Sequence, residues 1–527
     1  MWHLFLLLLT GLAAAVLAAF GVLFAARLTH PRPRGPFPAS HSLPAPLDAP
    51  LTQALGGRVP PAPDQSAVQL LQDPIDALAA RLELLRMARS SVDLQYYIWQ
   101  DDTSGGLMCA ALHEAAARGV RVRLLLDDNG TYGMDRTLAI LAQTPNIEVR
   151  LFNPFPLRRF RALGYLSDFR RLNRRMHNKA MIVDGQIAIL GGRNIGDIYF
   201  NTLGPEGLYL DMDIAISGPS LPDAARQFDR YWNARLSVPA ELTLAPPQAN
   251  NLHTEQNRLA ARLSTPRAQR YAAALEGENA APLLGKAALP IHWAKAHILA
   301  DTPEKMNHPE ARGAELVWQT LLSTIGQPQH DLAIASPYFV PTRAGVKALR
   351  RYAASGVKVR ILTNSLASTD VPIVHSGYAH RRRPLLRGGV ALYEYAPDAH
   401  PAQRKLSELL GPEIKGTSPF SRNKLHAKVF AVDRARVFVG SFNFDPRSMR
   451  LNTENGVLLD APDLAADITA MFDATVQNFA WRVTIARNLR LTWKRAGEPP
   501  LTREPGTRLG TRILLGIAQR LPIEWML

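Results

Sequence analysis

One arrangement of functional residues occurs twice in the chain. "RRMHNKAMIVDG" (174–185) and "KLHAKVFAVDR" (424–434) both spell His-x-Lys-x4-Asp: His177, Lys179 and Asp184, then His426, Lys428 and Asp433, 249 residues further on. Each copy follows a unit of the same kind. In the first half, the alternation of Val92, Leu94, Tyr96 and Ile98 predicts a strand, Leu107–Ala117 a helix and Val120–Leu126 a second strand. In the second half, "HDLAIASPYF" predicts a strand, a helix follows that closes at Ser355-Gly356, and "VKVRILTNS" predicts the next strand. Strand–helix–strand units bury a sheet under helices, so the repeat predicts a duplicated α/β chain with mixed sheets flanked by helices. A single such motif arises by chance in on the order of a few per cent of chains this long, but two at matching points of a repeat do not.

The spacing carries chemistry. Asp184-Gly185 and Asp433-Arg434 are two-residue turn signals between apolar runs, so each motif reads as the first strand of a hairpin. Residues i and i+2 of a strand share a face, which aims each histidine and its lysine the same way. The returning strands end in "GGRN" (191–194) and "GSFN" (440–443). Small residues let backbone approach a ligand, while Asn194, Asn443 and Ser441 offer donors to a phosphate. The candidate catalytic set is thus His177, Lys179, Asp184, His426, Lys428 and Asp433. Within it, Asp184 and Asp433 also fit a purely structural turn role. A nucleophilic imidazole needs a carboxylate on its other nitrogen. Downstream, "YLDMDIAISGP" offers Asp211, with Asp213 as its rival, and "RLNTENGVLL" offers Glu454.

The rest of the chain narrows the partner. A formal charge of +16 favours an anionic one: acidic lipid, nucleic acid or a phosphate-bearing substrate. A single cysteine, Cys109, excludes a disulfide framework or a multi-cysteine zinc site, and its helical context reads as a buried small hydrophobe. Residues 1–26 hold no Asp, Glu, Lys or Arg, which is long enough for a membrane-spanning helix; 1–28 reads as an uncleaved anchor, with a cleaved signal peptide as the competing reading. Arg27, Arg32 and Arg34 after it favour the remainder in the cytoplasm, with the periplasm as the alternative. Residues 29–65, rich in proline, read as an extended tether. A first domain over 66–240, an irregular link over 241–315, a second domain over 316–490 and a tail over 491–527 complete the division. "GTRILLGIAQRLPIEWML" in that tail is amphipathic and suits either a membrane surface or packing on the second domain. His375 and His380 beside Arg381–Arg383 read as a solvated basic segment, with lipid headgroup contact as a lesser reading for the arginines.

The paired motifs with their Gly-small-x-Asn followers resemble the phospholipase D superfamily. Within it, "YYIWQDD", "VRLLLDDNG", "MHNKAMIVDGQIAILGGRNIGD", "SPYFVPTRAG", "ILTNSLAS" and "GSFNFDPRSMRLNTENG" resemble bacterial cardiolipin synthases of the C type, from about Asp73 to the C-terminus. Gly192 departs from the superfamily's usual serine, which the second copy keeps as Ser441. The resemblance implies two tandem domains in pseudo-twofold contact with the active site at their interface. It also implies phosphatidyl transfer through a phosphohistidine, with His177 as nucleophile and His426 as acid and base. Lys179, Lys428, Asn194 and Asn443 would hold the phosphate, and the carboxylates would cross over, Asp211 to His426 and Glu454 to His177. No cofactor or metal is implied. The implied partners are phosphatidylglycerol, with phosphatidylethanolamine as a further donor, and the bacterial inner membrane, not nucleic acid; a partner protein is not legible. The same site would also serve a phospholipase D-type hydrolase of lipids or nucleic acids. A membrane-tethered anion-binding scaffold is a third reading, which the intact paired motif disfavours.

Overall fold

The computed structural model describes residues 2–29, 35–156, 158–200, 208–247, 251–276, 281–285, 288–306, 316–396, 424–521 and 524–527. The first half supplies β1 (Gln65–Leu71), β2 (Ser91–Ile98), β3 (Arg121–Gly130), β4 (Ile147–Phe152), β5 (Ala180–Val183), β6 (Ile187–Gly191), β7 (Tyr209–Leu210), β8 (Asp213–Ser217) and β9 (Ser237–Pro239). The second supplies β10 (His292–Ala300), β11 (Asp331–Ala335), β12 (Lys358–Asn364), β13 (Ala391–Tyr395), β14 (Lys424–Leu425), β15 (Val429–Val432), β16 (Arg436–Gly440), β17 (Asn455–Asp460), β18 (Ala480–Ile485) and β19 (Leu491–Lys494). Four helices enter the argument: α1 (Trp2–Thr29), α2 (Leu221–Trp232), α3 (Pro462–Phe479) and α4 (Leu509–Ala518).

Among the described residues, seventeen strands form one mixed sheet. By hydrogen-bonded neighbours, its first half runs β9-β4-β3-β2-β5-β6-β8-β1. Its second runs β10-β17-β16-β15-β11-β12-β13-β18-β19. The antiparallel pair β1–β10 joins them, and on either side the same succession of strands repeats outward. That is a pseudo-twofold. Ion pairs repeat with it: buried Arg123 binds Asp93 and Asp229 of α2, and Arg360 binds Asp331 and Asp473 of α3. Cys109 is buried in the helix Thr103–Ala117, which Asp102 caps by accepting from Gly105 N.

Three expectations about the connections change. Residues 35–64 do not form a free tether: Pro38 and Ser40 carbonyls accept hydrogen bonds from Arg150 and Arg123, and Leu51 is fully buried. Buried guanidiniums need acceptors, and this segment supplies them. The segment 241–315 is not one irregular link either. Leu283 and Leu284 donate backbone N–H groups to Glu83, Leu289 O accepts from Gln69, and Arg262 pairs with Asp101, so these residues dock on the first half. Residues 292–300 are β10, in the middle of the sheet, where "HWAKAHILA" mixes polar and apolar residues too evenly to announce a strand. Third, the basic stretch is partly core. Arg382 is buried between Glu394 and Glu504 and donates to His375, while Arg381 pairs with Glu524.

Residues 2–29 form one helix, α1, about 42 Å long at 1.5 Å per residue. Among the described residues no helix is long and apolar enough to cross a membrane, which leaves the membrane anchor expected over 1–28 without support.

Candidate active site

Each histidine is delivered by a short extended segment that leaves its own half and pairs with the other. Met176 bridges to Thr453, and His177 N donates to Thr453 O at 2.9 Å. β14 runs parallel to β7, and His426 N donates to Leu210 O at 2.8 Å. The next residue on each receiving segment is a carboxylate. Glu454 Oε2 therefore lies 2.8 Å from His177 Nδ1, and Asp211 Oδ2 lies 2.5 Å from His426 Nδ1. A carboxylate on Nδ1 holds the proton there and leaves Nε2 as the lone-pair nitrogen. The motif segments themselves lie just ahead of β5 and β15 rather than within them.

Lys179 and Lys428 each donate to the carbonyl of the histidine two residues before, at 2.5 Å. Both ammonium groups are buried, as are both imidazoles and both carboxylates. Lys179 also sits over the Tyr97 ring, 5.5 Å from its centre. Tyr97 meets His177 edge-on at 5.0 Å, while Tyr209 stacks on His426 at 4.9 Å with 6° between the rings.

Burial, then Lys179, Lys428, His426 and Arg447, push the His177 imidazole well below its usual range. His426 is lowered by burial and Lys428, against Asp211, which favours the charged ring. Burial likewise depresses both lysines, opposed chiefly by Glu454 at Lys179 and by Asp211 at Lys428. Burial works to raise both carboxylates; it prevails at Glu454, whereas His426 and Lys428 hold Asp211 below the ordinary range. Two lysines and two carboxylates enclose the two imidazoles, whose neutral forms burial favours.

Not every candidate joins this cluster. Asp184 accepts backbone N–H bonds from Arg89, Ser90 and Ser91, and Asp433 from Gln329, His330 and Asp331. Both stand at positive φ, 50° and 52°, in the hairpin turns. They tie turn to turn and face away from the chemistry. Asn194 is committed as well, accepting from Ile98 N and donating to Tyr199. Ser441 donates to Glu454 at 2.5 Å, so it holds the carboxylate rather than a phosphate. Asn443 differs: its side-chain oxygen is buried without a protein partner. Asp213 is engaged by Arg81 and Arg193 and is no rival to Asp211. Gly192 has a physical reason: a Cβ there would come within 2.1 Å of Asp211 Oδ1. The shorter acid brings its backbone close, and the serine is excluded.

Sequence reasoning passed over several supports. Ser448 donates to Glu454 Oε1 at 2.8 Å, Asn455 brackets the Lys179 backbone at 2.9 and 3.0 Å, and Asp301 accepts from Glu454 N. Ser448 and Asn455 flank Glu454 in sequence; Asp301 closes the unrecognised strand β10. Tyr97 lies between Tyr96 and Ile98 of the alternating set in β2, on the opposite face, and Tyr209 two before Asp211.

Paired imidazole–carboxylate couples between two lysines, on a pseudo-twofold axis, define a site for phosphodiester chemistry. The comparisons agree with that class. The family described as cardiolipin synthase, PLD-like domain, matches residues 82–232 and 321–476. Cardiolipin synthase C of Escherichia coli K12 is 44% identical over 475 residues, covering 88% of this chain and 97% of that protein. Cardiolipin synthase B of the same strain is 27% identical over 392 residues, 74% and 76% of the two chains. In fold, the chain resembles the phosphatidylserine synthase of Haemophilus influenzae Rd KW20, with a TM-score of 0.54 at 14% identity over 87% of this chain and 95% of that one. The chain belongs to the cardiolipin synthase, PLD-like domain family.

Proposed function

We infer that the chain is a phosphatidyltransferase of the cardiolipin synthase type, moving a phosphatidyl group from a phospholipid donor to phosphatidylglycerol. The observation that carries this reading is the pair of crossed couples, His177–Glu454 and His426–Asp211, inside a two-lysine frame. His177 Nε2 attacks phosphorus; the P–O bond to the headgroup alcohol breaks, and His426, protonated in the substrate complex, gives that oxygen its proton. Now neutral, His426 takes the proton from the acceptor hydroxyl, whose oxygen displaces His177 from phosphorus. His177 suits the nucleophilic role because it is held more firmly neutral than His426. Lys179, Lys428 and the Asn443 amide N–H would hold the phosphate oxygens as charge shifts in the transition state.

Localisation at the bacterial inner membrane belongs to the same proposal. α1 carries exposed Leu7, Leu9, Leu17 and Phe20, and α4 exposes Leu509, Ile513, Leu514 and Ile517. Both surfaces suit lipid. Arg27, Arg32 and Arg34 favour catalytic halves on the cytoplasmic side.

The deciding experiment is the lipid product of purified protein in phosphatidylglycerol vesicles with and without phosphatidylethanolamine, read by mass spectrometry. Cardiolipin is expected from the wild type and from neither His177→Ala nor His426→Ala. Phosphatidic acid as the histidine-dependent product would make the protein a hydrolase instead. A donor whose leaving group needs no proton separates the roles: His426→Ala should still form the covalent adduct, and His177→Ala should not.

A further inference from the structure

A cavity of about 350 Å³ lies between α3 and the second half's stretch of the sheet. Ala335 of β11 and Ala431 of β15 are on its floor, and Phe472 and Thr475 of α3 are on its roof. One wall is the segment bearing Tyr209 and Asp211, the residues that stack on His426 and bond to it. The hollow and the reacting centre share that wall.

The duplicated fold supplies an internal control. β2 pairs with β5 through Val92↔Val183 and Gln95↔Ala180, and β11 with β15 through Leu332↔Val432 and Ala335↔Val429. Val183 and Val432 immediately precede the two turn aspartates, so Gln95 occupies in the first half the place of Ala335. In the helices, Asp229 and Asp473 make the corresponding ion pairs, to Arg123 and Arg360, which sets Tyr231 opposite Thr475. Gln95 and Tyr231 are buried; one donates to Met176 Sδ at 3.1 Å, the other to Asp301 O at 2.6 Å. Ile182 likewise stands where the second half has Ala431. At these three positions the first half carries Gln95, Ile182 and Tyr231 where the second carries Ala335, Ala431 and Thr475, although Val429 of the second half stands where the first has Ala180.

A hollow of this volume is more than twice the roughly 150 Å³ apolar cavity that accepts benzene, and falls within the range of small-molecule pockets. Left unfilled, it weakens the fold. Its alanine, isoleucine, methionine and phenylalanine residues offer an occupant apolar contact, which is what a hydrocarbon needs, beside the polar Gln72, Asp73, Arg193 and Asp211.

We propose that this cavity is an acyl-chain site, receiving one hydrocarbon tail of the phospholipid whose phosphate is handled by His177 and His426. The assignment rests on the lipid reading above and adds where a tail is held: in the second half only. Ala335→Gln and Thr475→Tyr transplant the first half's residues into it. In mixed micelles, kcat/KM on phosphatidylglycerols of six and sixteen carbons per chain gives a ratio that reports the site. Filling the cavity should lower the sixteen-to-six ratio by about tenfold or more, since each methylene that loses its burial forfeits its favourable transfer from water. Thr475→Val, equal in volume, should keep the wild-type ratio. A photoactivatable palmitoyl phosphatidylglycerol should label peptides of α3 in the wild type and lose that labelling in the filled variants; the wild-type labelling serves alone if those variants do not fold. An unchanged ratio with no label on α3 overturns the acyl site while leaving the transferase intact. Absence of any histidine-dependent turnover on phosphatidylglycerol overturns the lipid reading itself, and the acyl site with it.

Discussion

At the residue level, the motif's three letters have two different jobs. Histidine and lysine join the central cluster of imidazoles and carboxylates, whereas the aspartate is a strap that three backbone N–H groups grip. Asp184→Ala should therefore cost about 2–4 kcal/mol of stability, because buried donors are left without a charged acceptor, and should change kcat of the folded enzyme less than about twofold. Asp211→Asn should do the reverse, cutting kcat by on the order of 10²–10⁴ with a small shift in Tm, since the geometry survives and the charge that stabilises the imidazolium is lost. Thermal melts beside initial rates separate the two. The ionisation of His177 gives a second residue-level test. Its imidazole is held well below the usual range, so the neutral, nucleophilic form persists as pH falls through about 6.5 and is lost only further down. Adduct formation with a donor that needs no proton should stay flat through that window; a fall centred at or above 6.5 would contradict this electrostatic picture. The histidines and lysines were legible in the sequence because a repeated spacing announces them. The commitments of Asn194 to Ile98 and of Ser441 to Glu454 were not, because they depend on which neighbouring chain takes up each hydrogen bond.

At the level of elements, the crossing of carboxylates follows from backbone pairing. The bridge at Met176–Thr453 and the pair β14–β7 set each histidine one residue from the acid of the opposite half. The two sides are not equivalent. Glu454, the longer acid, leaves room for Ser441, whereas Asp211 brings its segment so close that residue 192 must lack a side chain. Gly192→Ser, although it restores the superfamily's usual residue, should destabilise the β6–β8 end and lower activity by about tenfold or more, because a Cβ placed against a carboxylate must displace it from His426. Pairing the change with Asp211→Glu should recover part of the loss, which kcat for the single and double variants would show. Strands with strong alternation, such as β2, were visible beforehand. β10 was not, since its residues lie at the seam of the two halves, where "HWAKAHILA" meets β1 on one side and β17 on the other and neither face is uniformly apolar.

On the scale of the whole molecule, the two halves are incomplete reactors. Each holds one histidine and one lysine and lends its carboxylate to the other, so neither contains a finished imidazole–carboxylate couple. The sheet carries the same dependence, because β1 and β10 are edge strands until they meet. A chain divided after Pro290 keeps Arg262, Leu283 and Leu284 with the half they dock on and leaves β10 to open the second fragment. Either fragment alone exposes a paired edge and an uncompensated buried charge, and should be poorly soluble and inactive. Co-expressed, the two should associate through β1–β10 and regain transfer activity, reduced by the entropy of bringing two chains together. The sharper form crosses variants: with a donor whose leaving group needs no proton, a first fragment with Asp211→Asn should leave adduct formation at His177 on its own chain nearly unchanged, while slowing the transfer to an acceptor that depends on His426 of the second fragment. A second fragment with Glu454→Gln should do the opposite, slowing adduct formation on its partner. Labelled adduct in the first fragment, quantified for each mixture, reads this directly. Equal effects of the two carboxylate changes on adduct formation would mean that the couples do not act across the interface as their hydrogen bonds imply.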